Sequence, residues 1–192
     1  MDASTKKVAS RNQSVPTPRS RRLSKRREEL RDSLWPDAEG MVWSRHKATG
    51  WTTLPRTLPL LMRLIGDLTP KGDPSRVYLD LWFRAFDEGL VTIRDEEEMA
   101  FAAGYDGPRA TRTWRDHINT LVKLGFLKTK ELGNRDIGHV LLLDPNLAAA
   151  KLRDQGRVSE QWWNAFITRS NEVGSNVPVI PPPVPENDMP PF

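Results

Sequence analysis

The chain has 192 residues, no cysteine, 38% hydrophobic residues and 28% charged residues, with a formal net charge of +4. This composition predicts one globular domain of ordinary size with polar tails, and the lack of cysteine excludes disulfides and thiolate metal sites. No apolar run is long enough to cross a bilayer, and no apolar segment follows the basic amino terminus as in a secretory signal, so we expect a cytoplasmic protein without a membrane partner.

The positive charge is concentrated at the amino terminus. Residues 1–31 carry ten Lys or Arg and three Asp or Glu side chains, whereas the other 161 residues carry 19 and 22. The isoelectric point of about 9.6 therefore reflects this arm, and it does not by itself mark the rest of the chain as a binder of nucleic acid.

Composition divides the chain into five predicted segments. They are a basic, largely disordered arm (1–36), an aromatic and proline-containing segment with one short helix (37–74), a regular motif of helices and strands (75–143), carboxyl-terminal helices (144–174) and a disordered proline-rich tail with PxxP spacings (175–192). In the arm, helix-forming residues begin near Ser24 and stop before Pro36. The arm either keeps the chain soluble or contacts DNA phosphates, and the residues predicted for phosphate contact are Arg21, Arg22, Lys25, Arg26 and Arg27.

The second segment combines tryptophans with a short helix. Trp43 and Trp51 flank the basic Arg45–Lys47 stretch and would suit stacking on bases, although such tryptophans more often anchor a loop to a core. Apolar residues at helical spacing predict a buried helix that ends near Gly66, and they are Leu58, Leu61, Met62 and Ile65.

Regular periodicity begins at Ser75. The stretch SRVYLDLWFRAFDEG predicts a helix that ends at Gly89, with one apolar face made of Val77, Leu81, Trp82 and Phe86. A short strand is expected at 90–93. Asp95 then has the character of an N-cap, because three glutamates follow it at the positive end of a helix dipole.

A longer helix and a hairpin complete the motif. Pro108 suits the first position of a helix over 109–124, which ends at Gly125. Strands are predicted at 126–132 and 137–143, joined by a tight turn made of Gly133, Asn134, Arg135 and Asp136.

The order of helix, short strand, helix, turn, longer helix and hairpin over residues 75–143 resembles the winged helix-turn-helix. LGFLKTK after the third helix is similar to a junction common in that superfamily. The stretches GWTTLPRTLPLLMRL, AAGYDGPRATRTWRD and WWNAF resemble uncharacterised winged-helix proteins encoded on bacterial plasmids and mobile elements. The expected fold is therefore mainly α with a small β-hairpin wing (α+β) and flanking helices. The resemblance implies a transcriptional regulator or a replication or maintenance factor.

The 109–124 helix segregates its side chains. Its apolar sector centres on Trp114, Ile118 and Leu121, and nearly opposite lie Arg112, Asp116, Asn119 and Lys123. A third helix of this kind enters the major groove, where arginine binds guanine and asparagine binds adenine, while the wing meets phosphate or the minor groove. The residues predicted to contact double-stranded DNA are Arg109, Arg112, Thr113, Arg115, Asn119, Lys123, Lys128, Lys130 and Arg135.

Three alternatives stay open. A charged outer face suits any solvated helix, and Arg112 with Asp116 would make an ordinary surface pair. The fold also serves as a protein–protein interaction module or scaffold, or it binds RNA.

In the carboxyl-terminal helices, the aromatic stripe packs onto the domain or forms a homodimer interface, and its members are Trp162, Trp163, Phe166 and Ile167.

Nothing in the sequence predicts an enzyme, a cofactor or a metal site. The acids from Asp95 to Glu98 point to different sides of a helix, and His46, His117 and His139 are scattered along the chain. No Gly-x-Ser-x-Gly motif or phosphate-binding loop occurs.

Overall fold

The computed structural model describes residues 18–37, 41–44 and 48–178. They form helices α1 (Pro18–Leu34), α2 (Leu58–Leu68), α3 (Ser75–Arg84), α4 (Glu96–Ala102), α5 (Ala110–Lys123), α6 (Pro145–Asp154) and α7 (Glu160–Val173), and strands β1 (Leu90–Thr92), β2 (Leu127–Leu132) and β3 (Arg135–Leu142). The predicted α+β class is confirmed. The chain divides into two compact units, Met1–Trp51 and Thr52–Phe192.

In the first unit, α1 is longer than predicted. It begins at Pro18, six residues before Ser24, and proline is pre-organised for a first helical turn. From Arg21 onward its side chains are exposed except that of Arg31, which is half-buried. Of the tryptophans in this unit, Trp35 and Trp43 are exposed and Trp51 is half-buried. Disorder was predicted for 1–20, of which 18–20 belong to α1. The rest of that prediction (1–17), the basic stretch 45–47 and residues 179–192 of the predicted disordered tail lie outside the described residues.

The core of the second unit is built by α2, α3, α5 and the sheet. Trp114, Ile118 and Leu121 of α5 are fully buried, as are Tyr78 of α3 and Phe126. The rings of Tyr78 and Phe126 lie 5.3 Å apart. Because each large apolar side chain contributes roughly 1.5–3 kcal/mol on burial, this cluster fixes the rotation of α5 about its axis.

The three strands form one antiparallel sheet in the order β1-β3-β2. Val91 faces Val140 in the core, whereas Leu90 faces Leu141 on the outer side. Position 138 of β3 requires glycine, because Leu132 lies so close to it that an added Cβ would overlap the Cβ of Leu132.

The hairpin turn is shorter than predicted. It consists of Gly133 and Asn134 alone, so Arg135 and Asp136 belong to β3 and not to the turn. Two-residue loops are the commonest hairpin connections, because their primed turns match the twist of the flanking strands, and Gly133 has a φ of +61°, which favours glycine.

Other helix ends also differ from the prediction. α3 ends at Arg84 because Ala85 is extended, and Phe86 lies outside the helix, 80% exposed. α2 continues to Leu68, which places Gly66 inside its last turn. α5 begins at Ala110, so Pro108 precedes the helix instead of starting it.

The aromatic stripe of α7 packs within the chain. Trp162 and Phe166 are buried, their rings stack at 4.9 Å, and the Trp162 Nε1–H donates to the carbonyl oxygen of Leu60 at 2.9 Å. Trp163 and Ile167 are half-buried. A homodimer interface through Trp162, Trp163 and Phe166 would thus lack two of its three side chains.

None of the described helices combines the length and apolar composition needed to cross a membrane.

Candidate nucleic-acid interface

Helix α5 carries five of the nine residues predicted to contact double-stranded DNA, and α4 precedes it in the chain. Asp95 caps α4 as predicted: its carboxylate accepts hydrogen bonds from the backbone N–H groups of Glu97 (2.8 Å) and Glu98 (3.3 Å). The turn that follows contains Gly104 and Gly107, both with positive φ. This turn lets α5 pack against α4.

The buried side of α5 determines which residues point outward. Opposite Trp114, the exposed side chains are Arg112, Asp116, Asn119 and Lys123. The i,i+4 ion pairs of the second unit lie on α2 and α3, and Arg112 forms none with Asp116. The simple surface pair considered for these two residues is therefore not formed.

Cations lie at both ends of α5. Arg109 immediately precedes the helix and Lys123 is its last residue, so the two lie about 20 Å apart along the axis. Like Arg112, both are exposed, and none of the three has a hydrogen bond or ion pair from its side chain to another described residue. Their charge is uncompensated by direct contact.

Arg115, in contrast, is held by a carboxylate. Its Nε–H donates to Oε2 of Glu96 at 2.6 Å, and its Nη2 contacts the same oxygen. The Glu96 side chain is 11% exposed and that of Arg115 is 51% exposed. The hydrogen bond to Glu96 raises the pKa of Arg115. This pair joins the first residue of α4 to the middle of α5 and offsets the charge of Arg115.

The β2–β3 hairpin contributes two exposed lysines and one arginine that is partly engaged. Lys128 and Lys130 are exposed on the outer side of β2, without a contact from either ammonium to another described residue. Nη1 of Arg135 donates to the carbonyl oxygen of Ile93 at 3.0 Å. Arg135 thereby ties the start of β3 to the segment between β1 and α4.

A polar cleft of about 490 Å³ opens between the start of α4, the middle of α5 and the hairpin turn. Its walls carry charges of both signs, including those of Arg94, Glu96, Arg115, Arg135 and Asp136. This part of the surface is therefore not uniformly positive.

The other flank of α5 is occupied by a hydrogen-bonded pair. The Tyr105 hydroxyl lies 2.6 Å from Nδ1 of His117. Burial lowers the pKa of His117, against the opposing influence of Asp73 and Asp116, and burial raises the pKa of Tyr105. Thr113, a predicted DNA contact, is half-buried and lines a second cleft with His117. It lies on the side of α5 away from Arg115.

The predicted arm contacts lie on α1, in the first unit. All five are exposed: Arg21, Arg22, Lys25, Arg26 and Arg27. Lys25 is 3.8 Å from Glu29, a solvated pair of the kind that contributes at most about 1 kcal/mol.

Glu96 and Tyr105 are the residues of this region whose contacts the sequence does not reveal. Glu96 has the pattern of a first-turn acid next to a helix dipole, and Tyr105 that of a turn residue. Their partners, Arg115 and His117, lie 19 and 12 residues further along the chain. The sequence offers one signal for the pair of Glu96 and Arg115: opposite charges near the start of one predicted helix and on the flank of the next.

Among the residues that the structure describes, no three His, Cys, Asp or Glu side chains lie close enough together to hold a metal ion. No protein-family model, curated protein or solved structure matches this chain.

Proposed function

We propose that the chain binds specific sequences of double-stranded DNA through a winged helix and thereby regulates transcription or the replication or maintenance of a plasmid. In this proposal α5 reads the major groove, the β2–β3 hairpin is the wing, and α1 adds affinity through its cations. The regulatory role is the one that the resemblance implies.

The order of elements supports the winged-helix assignment. α3, β1, α4, α5, β2 and β3 follow one another as in a winged helix-turn-helix. The pairing of β1 with β3, together with the Arg135 bond to Ile93, holds the hairpin next to the segment that leads into α4. The two elements proposed to contact DNA therefore belong to one packed unit.

The observation that carries the proposal is a set of exposed cations on the outside of α5 and β2. None of their charged groups contacts another described residue, and they are Arg109, Arg112, Lys123, Lys128 and Lys130. Phosphate neutralisation gains affinity only from cations that have no better partner, since a cation bound to a carboxylate releases fewer counterions. Early residues of a recognition helix reach base edges, which assigns base contact to Arg112.

Selection of binding sites from a random DNA pool, with the full chain, tests the proposal. We expect an enriched motif, and we expect Arg112→Ala to cost about 1–3 kcal/mol on that motif and to relax the preference at one base position. Arg157→Ala is the matched control, because Arg157 is also exposed but lies in the α6–α7 connection. A pool without enrichment, or equal reductions in affinity for the two variants, would contradict the proposal.

A second candidate function is protein binding by the outer face of the sheet. Leu90 and Leu141 face each other in the register and are 48% and 38% exposed. Contiguous exposed apolar surface marks protein–protein interaction sites, and these two side chains are neighbours on the outer face. This candidate predicts no salt-dependent retention on DNA, so the binding measurement separates it from the first.

A further inference from the structure

We propose that Glu96 is a positioning residue, which orients the guanidinium of Arg115 and makes Arg115 a specificity-determining reader of guanine. The inference rests on the proposed DNA binding and deepens it. It assigns to a carboxylate at the start of α4 a role in sequence recognition by α5.

The geometry of the pair leaves one side of the guanidinium available. Arginine has five N–H donors in a planar fork. The Nε–H bond of 2.6 Å to Oε2 of Glu96 and the Nη2 contact to the same oxygen use the inner edge of Arg115. The outer edge keeps both hydrogens of Nη1 and one of Nη2. Two adjacent N–H groups are what guanine O6 and N7 accept in the major groove.

Burial of Glu96 makes this orientation firm. Its side chain is 11% exposed whereas that of Arg115 is 51% exposed. The carboxylate is therefore packed against the protein, and the side chain of Arg115 extends into solvent. Glu96 lies directly after Asp95, which caps α4. A guanidinium fixed in this way loses less conformational freedom on binding than a free one.

Arg115 lines the polar cleft, as does Glu96. This cleft lies between α5 and the hairpin turn, and it is lined by Thr111 as well as by Asn134 and Arg135. These are the two elements that we propose to contact DNA. A base edge that enters between them would come next to Arg115.

Glu96 also makes Arg115 selective by charge. A phosphate is repelled by the carboxylate that neutralises Arg115, whereas a guanine edge is neutral and demands hydrogen bonds more than charge. Removal of the carboxylate should therefore act in opposite directions on the two kinds of DNA. Binding to unrelated DNA should strengthen, and discrimination in favour of the specific site should weaken.

The test compares Glu96→Gln with Glu97→Gln in the full chain. Both substitutions remove one negative charge from the first turn of α4, but Glu97 is exposed and has no contact with Arg115. We expect Glu96→Gln to lower the ratio of specific to non-specific affinity about tenfold, the equivalent of one bidentate arginine–guanine pair. Glu97→Gln should leave the ratio unchanged, and its gain in affinity for unrelated DNA should be smaller than that of Glu96→Gln.

Two further readouts separate positioning from a purely structural role. Repeated site selection should show that Glu96→Gln abolishes the guanine preference at a single position. Arg115→Lys, which keeps the charge but not the fork, should abolish the same preference. Adding Glu96→Gln to Arg115→Lys should change the specificity ratio little, because the interaction is already absent.

The possible failures are distinguishable. Equal specificity ratios for the Glu96 and Glu97 variants, with the wild type still selecting a motif, would overturn the positioning role and leave the DNA-binding proposal intact. A wild-type chain that selects no motif would overturn the proposed function itself, and this inference with it.

Discussion

Tyr105 and His117 connect the turn before α5 to α5 itself. For Nδ1 of His117 to accept the tyrosine O–H at 2.6 Å, that nitrogen must be unprotonated. Burial disfavours the charged form of both groups: it lowers the pKa of His117 and raises the pKa of Tyr105. Each change favours the neutral form, so the folded chain holds a neutral pair at this position.

The neutral pair predicts a pH dependence of stability. With a pKa below its usual value of about 6.5 in the folded chain, His117 binds fewer protons than in the unfolded chain just below that pH. The free energy of unfolding should therefore fall as the pH decreases from 7 through 6.5 toward the lower folded pKa. Chemical denaturation across this range should show the fall, with a smaller slope in His117→Gln. An unchanged slope in that variant would show that other groups are responsible.

Two glycines predict opposite effects of one substitution. Gly66 lies inside α2 with its nearest neighbour, an Asp73 carboxylate oxygen, 3.4 Å from an added Cβ. Gly66→Ala should stabilise the chain by roughly 0.5–1 kcal/mol, since alanine favours helix.

An added Cβ at Gly138 would overlap the backbone of Leu132, so Gly138→Ala should destabilise the chain by roughly 1–3 kcal/mol. Thermal unfolding measures the effects of Gly66→Ala and Gly138→Ala, and a neutral or stabilising effect of Gly138→Ala would contradict the close approach within the hairpin.

At the scale of elements, the sequence predicted what depends on neighbouring residues. The periodicity of α5 identified Trp114 and Ile118 as core, and the spacing of acids after Asp95 identified the cap of α4. The prediction from the sequence was wrong where two local signals competed. Gly89 suggested the end of α3, but the helix ends at Arg84, where Ala85 is extended; Gly89 instead ends a separate turn before β1, in which its N–H donates to the carbonyl oxygen of Phe86.

The candidate interface was less predictable because its geometry depends on distant residues. The outward side chains of α5 follow from its buried face, and the sequence identified them. Whether a cation on that helix is free depends on what packs beside it. Arg112 and Arg115 look alike in the sequence, yet one has no described partner and the other is bound by Glu96.

At the scale of the whole molecule, the charge is divided between the two units. Residues 1–51 carry 12 Lys or Arg and six Asp or Glu side chains, whereas residues 52–192 carry 17 and 19. The unit that contains α5 therefore has a net charge of −2, and its attraction for a polyanion depends on where its cations lie. The first unit supplies positive charge without a buried apolar face on α1.

This division predicts separate contributions to affinity and to specificity. A chain that lacks residues 2–51 should bind all DNA more weakly, and the dependence of log affinity on log salt should decrease by about 0.9 for each phosphate that the removed cations neutralise. Its base preferences should stay those of the full chain, because α5 and the hairpin are intact.

A full-length variant with Gln in place of Arg21, Arg22 and Lys25 should shift the salt dependence the same way while α1 is retained. Titrations at several salt concentrations, on the selected motif and on unrelated DNA, provide the measurement. If the truncated chain changed its base preference but kept its salt dependence, α1 would be a reader of sequence, and the assignment of recognition to α5 alone would be wrong.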